Sequence, residues 1–137
     1  MSVDITKLGV FQGWRYYKVP VIGIMTSNNV GLACKNANLS TPCPAPTGCL
    51  RSDENCIATG LDDCDNPMRE VSKAICNGED PTNCPDFDGV YAYDASLQSG
   101  SACGVEEGQW CVHGNNYTNK NAFCAAREGW KYTLFRS

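Results

Sequence analysis

The chain has 137 residues, a net charge of −4 and ten cysteines, with 42% hydrophobic and 19% charged residues. That length fits one domain, and the hydrophobic content excludes a disordered tail. The longest apolar run, residues 19–25, is far too short to span a bilayer, which takes ~20 residues. The expectation is one α+β, disulfide-rich domain over residues 1–137, with a small mixed or antiparallel sheet, two helices and long cross-linked loops.

In chain order, residues 14–24 read as a strand, with Trp14, Tyr16, Tyr17, Val19 and Val21 interleaved with charge, and Pro20 marks an edge or a break. An amphipathic helix follows. Thr26 or Ser27 caps it, and Val30, Ala33, Cys34 and Ala37 recur at helical spacing, so one face is buried and carries a cysteine. Pro42 stops any continuation, and residues 43–49 form a Pro/Gly-rich loop between cysteines that depends on cross-links for order. The second helix has Asp65 or Asn66 as its cap and Pro67 at its first position. Met68, Val71 and Ile75 make its apolar stripe, and Asn77-Gly78 ends it.

Farther on, residues 88–93 read as a strand and residues 99–108 as a Gly/Ser-rich loop. Residues 119–128 admit two readings: a helix capped by Thr118 and Gly129, or a short buried strand around Ala122-Phe123-Cys124-Ala125. The closing run Trp130-Lys131-Tyr132-Thr133-Leu134-Phe135 alternates like the first strand, and the two are expected to pair as terminal strands.

The cysteines are Cys34, Cys43, Cys49, Cys56, Cys64, Cys76, Cys84, Cys103, Cys111 and Cys124, with no C-x-x-C pair and only His113 as an imidazole. Zinc sites place their cysteines two to four residues apart, so the even count points instead to five disulfides and an oxidising compartment. A secreted or extracellular protein is expected. Residues 1–6 lack the charged and apolar regions of a signal peptide, so the sequence reads as a mature form. Sequons at Asn38 and Asn116 are N-glycosylation candidates. Spacing does not choose among the many possible pairings.

Charge is distributed in blocks, +3 over residues 1–50, −10 over 51–107 and +3 over 108–137. No clustered basic face is visible, so nucleic acid is not an expected partner. Three constellations could carry chemistry. Asp62, Asp63 and Asp65 concentrate hard oxygen ligands, which makes calcium the one candidate ion, although the spacing is not that of an EF-hand and Asp65 serves equally well as a helix cap. Glu106, Glu107 and His113 lie close enough in sequence to suggest a hydrolase, but no nucleophile signature accompanies them, and the chain reads as a binding protein rather than an enzyme. Trp110, His113, Asn115, Asn116, Tyr117 and Asn119 form an aromatic and amide-rich loop. Its rings could stack on a sugar and its amides could bond hydroxyls; the same residues also suit a glycosylated or solvated turn with Trp110 buried.

The order of terminal strands, two amphipathic helices, a long loop region and a late cysteine resembles the C-type-lectin-like and Link-type modules. That resemblance implies a bridge between Cys34 and Cys124 and a ligand held by loops. The chain has none of the Glu-Pro-Asn, Gln-Pro-Asp or Trp-Asn-Asp motifs through which that family binds sugar on calcium. The phrases Val19-Pro20-Val21-x-Gly23-x-Met25-Thr26, Thr41-Pro42-Cys43 and Cys64-Asp65-Asn66-Pro67-Met68 are also similar to cysteine-rich extracellular modules of invertebrates, a likeness that implies no activity. The expected function is binding of a glycan or an extracellular protein. A structural subunit of a matrix or filament, a small secreted hydrolase and a toxin or inhibitor are the alternatives.

Overall fold

The computed structural model describes residues 5–43, 56–58, 66–94 and 100–127. Its elements are β1 (Thr6–Phe11), β2 (Trp14–Pro20), α1 (Ser27–Asn36), β3 (Thr41–Cys43), β4 (Cys56–Ala58), α2 (Asn66–Ile75), β5 (Val90–Ala92), β6 (Cys103–Glu106), β7 (Gln109–His113) and β8 (Asn121–Arg127). Six strands make one mixed sheet in the order β1-β2-β8-β5-β6-β7, and β3 pairs with β4 in parallel. The result is a small α+β domain with disulfides.

The run that allowed two readings, Ala122-Phe123-Cys124-Ala125, is strand. β8 runs antiparallel to β2 from Trp14↔Arg127 to Pro20↔Asn121, and parallel to β5 on its other edge. Its side chains alternate between two cores. Ala122 and Cys124 pack with Val30 and Cys34 of α1, while Phe123 and Ala125 pack with Met68 and Val71 of α2. A strand covered on both faces carries apolar residues continuously, which is why its period was hidden. β2 therefore has β1 on one edge and residues 121–127 on the other; the run expected to pair with it, residues 130–135, lies outside the described residues.

α1 begins and α2 ends where their punctuation directs, whereas α1 stops at Asn36, ahead of Pro42, with Asn38 left-handed at φ 61°; α2 starts at Asn66, so Pro67 is its second residue, and Asp65 lies outside the described residues. The Thr26 hydroxyl accepts from the Asn29 amide at 3.0 Å, capping α1, and Val30 and Cys34 are fully buried. In α2, Met68 and Val71 are fully buried; Asn77 and Gly78 then turn left-handed (φ 54° and 85°), and the Gly78 amide donates to the Lys73 carbonyl.

Several strands differ from expectation. β1 is joined to β2 by Gln12-Gly13, whose positive φ values (52° and 85°) suit the tight turn that matches strand twist. Residues 103–106, expected within a loop, form the buried strand β6. Gly104 is there because a Cβ would run into the Tyr91 ring, so the glycine marks close packing and not a turn. The actual turn is Glu107-Gly108 (φ 50° and 78°), which leads into β7 and so places Trp110 and His113 on a strand rather than in a loop.

Among the described residues, three disulfides join Cys34 to Cys124, Cys76 to Cys84 and Cys103 to Cys111, with Cα separations of 5.4, 5.9 and 4.5 Å. The first is the bridge that the family resemblance implies. Among the described residues no cysteine is free. Cys49 and Cys64 lie outside the described residues, and only the backbone of Cys43 and Cys56 is described. Also among the described residues, no helix is long and apolar enough to cross a membrane.

The bridges differ in what they restrain. Cys34–Cys124 closes 90 residues of chain and Cys103–Cys111 closes 8. In the chain-entropy account, replacing both cysteines of the longer bridge by alanine costs about 2 kcal/mol more than doing so for the shorter. Urea denaturation of the two double variants measures this, and equal losses would count against an entropic role.

Candidate functional site

Segment 21–26 links β2 to α1, and its apolar composition makes it look like continued strand. It is instead clamped to the loop 114–120. The Val21 amide donates to the Lys120 carbonyl (2.8 Å), the Gly23 amide to Asn119 Oδ1 (2.8 Å), the Asn119 amide back to the Gly23 carbonyl (2.9 Å), and the Met25 amide to the Tyr117 carbonyl (3.0 Å). From the helix side, Asn29 Nδ2 donates to the Ile24 carbonyl at 2.8 Å. The clamp requires Gly23, whose φ of 106° is closed to other residues, and Gly114, where a Cβ would collide with the Met25 carbonyl.

This clamp holds an apolar residue in water. Val21 and Met25 point into the core, whereas Ile22 is 93% exposed, and Ile24 (48%) and Leu32 (54%) are exposed nearby. Between residues 19–22 and α1 lies a hollow of about 220 Å³, lined by Val19, Pro20, Val21 and Ile22 on one side and by Asn29, Leu32, Ala33, Asn36 and Ala37 on the other. That is smaller than the ~300–1,000 Å³ of small-molecule sites. It is a size for one or two side chains.

The six residues expected to bind ligand are divided by the sheet. Cys111 adopts a left-handed φ of 56° where the β6–β7 register shifts between Gly104 and Val105. This bulge breaks the alternation, so Trp110 packs with the α2 core and Val112 with the α1 core. Trp110 is half-buried, with the Arg69 guanidinium 5.0 Å from its ring centroid. Tyr117 is half-buried on the opposite face, 6.1 Å from the Tyr91 ring. His113, Asn115 and Asn116 are exposed at the end of β7, and Asn119 spends its Oδ1 on the clamp. Both sequon residues, Asn38 and Asn116, are exposed. Sequence reading missed Ile22, Ile24, Leu32 and Asn29, for which Gly23 was the available signal.

The acidic groups are likewise dispersed. Glu106 is almost fully buried, accepts from the Tyr91 hydroxyl at 2.7 Å and lies 3.5 Å from Lys120 Nζ. Glu107 sits in the exposed hairpin turn, and its amide donates to Asp88 Oδ1 beside an open pocket of about 400 Å³. His113 pairs with Cys103 at the far end of the hairpin from both glutamates, so the three do not converge. Asp62, Asp63 and Asp65 lie outside the described residues. Asp94 lies within 4.8 Å of the Cys103 and Cys111 sulfurs, but those sulfurs are bonded to each other and offer no thiolate to a metal. No family model, curated protein or solved structure matches the chain.

Tyr91 makes an alkaline prediction. Burial, and after it the bond to the Glu106 carboxylate, push its phenol well above the ordinary value of 10.0. A pKa raised in the folded state means stability is intact below about pH 10 and falls as pH rises beyond it, because the unfolded chain ionises first. Tyr91→Phe, which takes a hydrogen bond from a buried carboxylate, is expected to cost about 1.5–3 kcal/mol at neutral pH and to flatten that alkaline decline. Thermal midpoints between about pH 8 and pH 11 test it, and an unchanged slope in the variant would refute it.

Proposed function

We propose that this chain is an extracellular, disulfide-stabilised binding module whose ligand is a protein seated on the face made by Ile22, Ile24 and Leu32. The observation that carries the reading is Ile22, 93% exposed on a segment fixed by hydrogen bonds before and after it. A fully buried isoleucine is worth roughly 1.5–3 kcal/mol over an exposed one, and that gain is open to a partner that covers it. Protein interfaces combine such an apolar centre with a polar rim, and Asn29, Asn36 and Asn119 supply amides around this one. The disulfides support an oxidising compartment.

A glycan ligand has less in its favour. Stacking on a sugar needs an open aromatic face, and the two aromatics of the loop set are half-buried on opposite sides of the sheet.

The oxidised full chain, displayed against arrays of extracellular proteins and of glycans, tests the reading. Binding to protein is expected, with Ile22→Asp and Leu32→Asp each weakening it at least about tenfold and Lys73→Ala on α2 leaving it unchanged. Hits confined to glycans and indifferent to Ile22→Asp would overturn it.

A further inference from the structure

We infer that the partner seated on this face is a second copy of the chain, its α1 packed antiparallel to the first α1 about a two-fold axis. This inference rests on the protein-binding reading and names its partner.

A two-fold interface brings one patch against itself, so the patch must both project and receive. This one does. Ile22 stands at the rim of the hollow and Leu32 on its helix side, so each copy offers two apolar side chains and a cavity of about 220 Å³ in which the other copy's side chains can be covered.

Charge favours the same occupant. A two-fold places charges of the patch near their own images, which repel. The chain carries 11 basic and 15 acidic residues, yet none of the residues lining the hollow is charged. The one charge on α1, Lys35, is not among them.

The helix sequence is itself symmetric on this side. Asn29, Leu32, Ala33 and Asn36 are spaced i, i+3, i+4 and i+7, so they form one stripe with an amide at each end and apolar residues in the middle. Reversing the stripe about a point between Leu32 and Ala33 exchanges Asn29 with Asn36. Two antiparallel α1 helices crossing there bring Asn29 of one copy to Asn36 of the other, twice, and Ala33 is small enough to let the helices approach. An amide both donates and accepts, so such a pair is satisfied in either copy. Asn29 commits one Nδ2 hydrogen to the Ile24 carbonyl and keeps its Oδ1 for the partner.

Sedimentation velocity on the oxidised full chain, over a wide concentration range, tests the inference. A concentration-dependent monomer–dimer equilibrium is expected. Ile22→Asp and Leu32→Asp are expected to weaken it at least about tenfold with an unchanged near-UV spectrum, since both side chains are exposed in the monomer. The pairing also separates two variants that leave the Asn29–Ile24 bond of the clamp intact. Asn36→Asp removes the donor that would face Asn29 Oδ1 of the other copy and is expected to weaken the dimer, whereas Asn36→Gln keeps that donor and is expected to retain it. A native chain still monomeric at about 1 mM, or a dimer indifferent to these variants, overturns the inference. The array result stands apart. If the chain is monomeric but loses protein binding on Ile22→Asp, self-pairing fails while the protein-binding reading survives.

Discussion

The structure depends on burying one strand on all sides. Residues 121–127 have β2 on one edge, β5 on the other and a helix over each face. Phe123 stacks on Tyr16 with ring centroids 5.2 Å apart and meets Phe87 at 5.9 Å, while Cys124 is bonded to Cys34 on α1. Each buried aromatic of this kind contributes roughly 1.5–3 kcal/mol of transfer free energy, and close ring pairs add about 0.5–1.5 kcal/mol. A domain of this length can therefore hold a core of its own. The Cys34–Cys124 bridge does not replace that core but fastens the first helix to the centre of the sheet, so the clamp region between β2 and α1 has a fixed base.

How much of this was legible in the sequence depends on whether the signal was local. The helices were legible because their caps are: Thr26, Asn77-Gly78 and the apolar stripes act within a turn or two. Cys34 on the buried face of α1 followed from the same stripe. The strands were harder. β6 is buried on both faces and contains Gly104 for the sake of the Tyr91 ring, so composition made it resemble a loop. In β7 a single left-handed residue, Cys111, sends Trp110 to the opposite side from Val112, and no period-two reading anticipates a bulge.

The face proposed for binding was hidden for a related reason. Pro20-Val21-Ile22-Gly23-Ile24 has the composition of a strand, and what prevents it from continuing as one is Asn119, 96 positions away from Gly23. Only the fold brings these residues together. The loop set that sequence reading favoured was chosen by proximity along the chain, and the sheet passes through the middle of it.

Holding Ile22 in place has an energetic consequence. Ordering a flexible loop at an interface costs about 0.5–1.5 kcal/mol for each immobilised side chain, and that cost is subtracted from affinity. Here Gly23 and Asn119 already fix the backbone through two mutual hydrogen bonds, so the ordering is part of folding and not of association. Net charge acts on a different length scale. A chain of −4 repels its copy at a distance, but at physiological ionic strength the repulsion is screened over about 8 Å. Within that range the local surface decides, and none of the residues lining the hollow is charged.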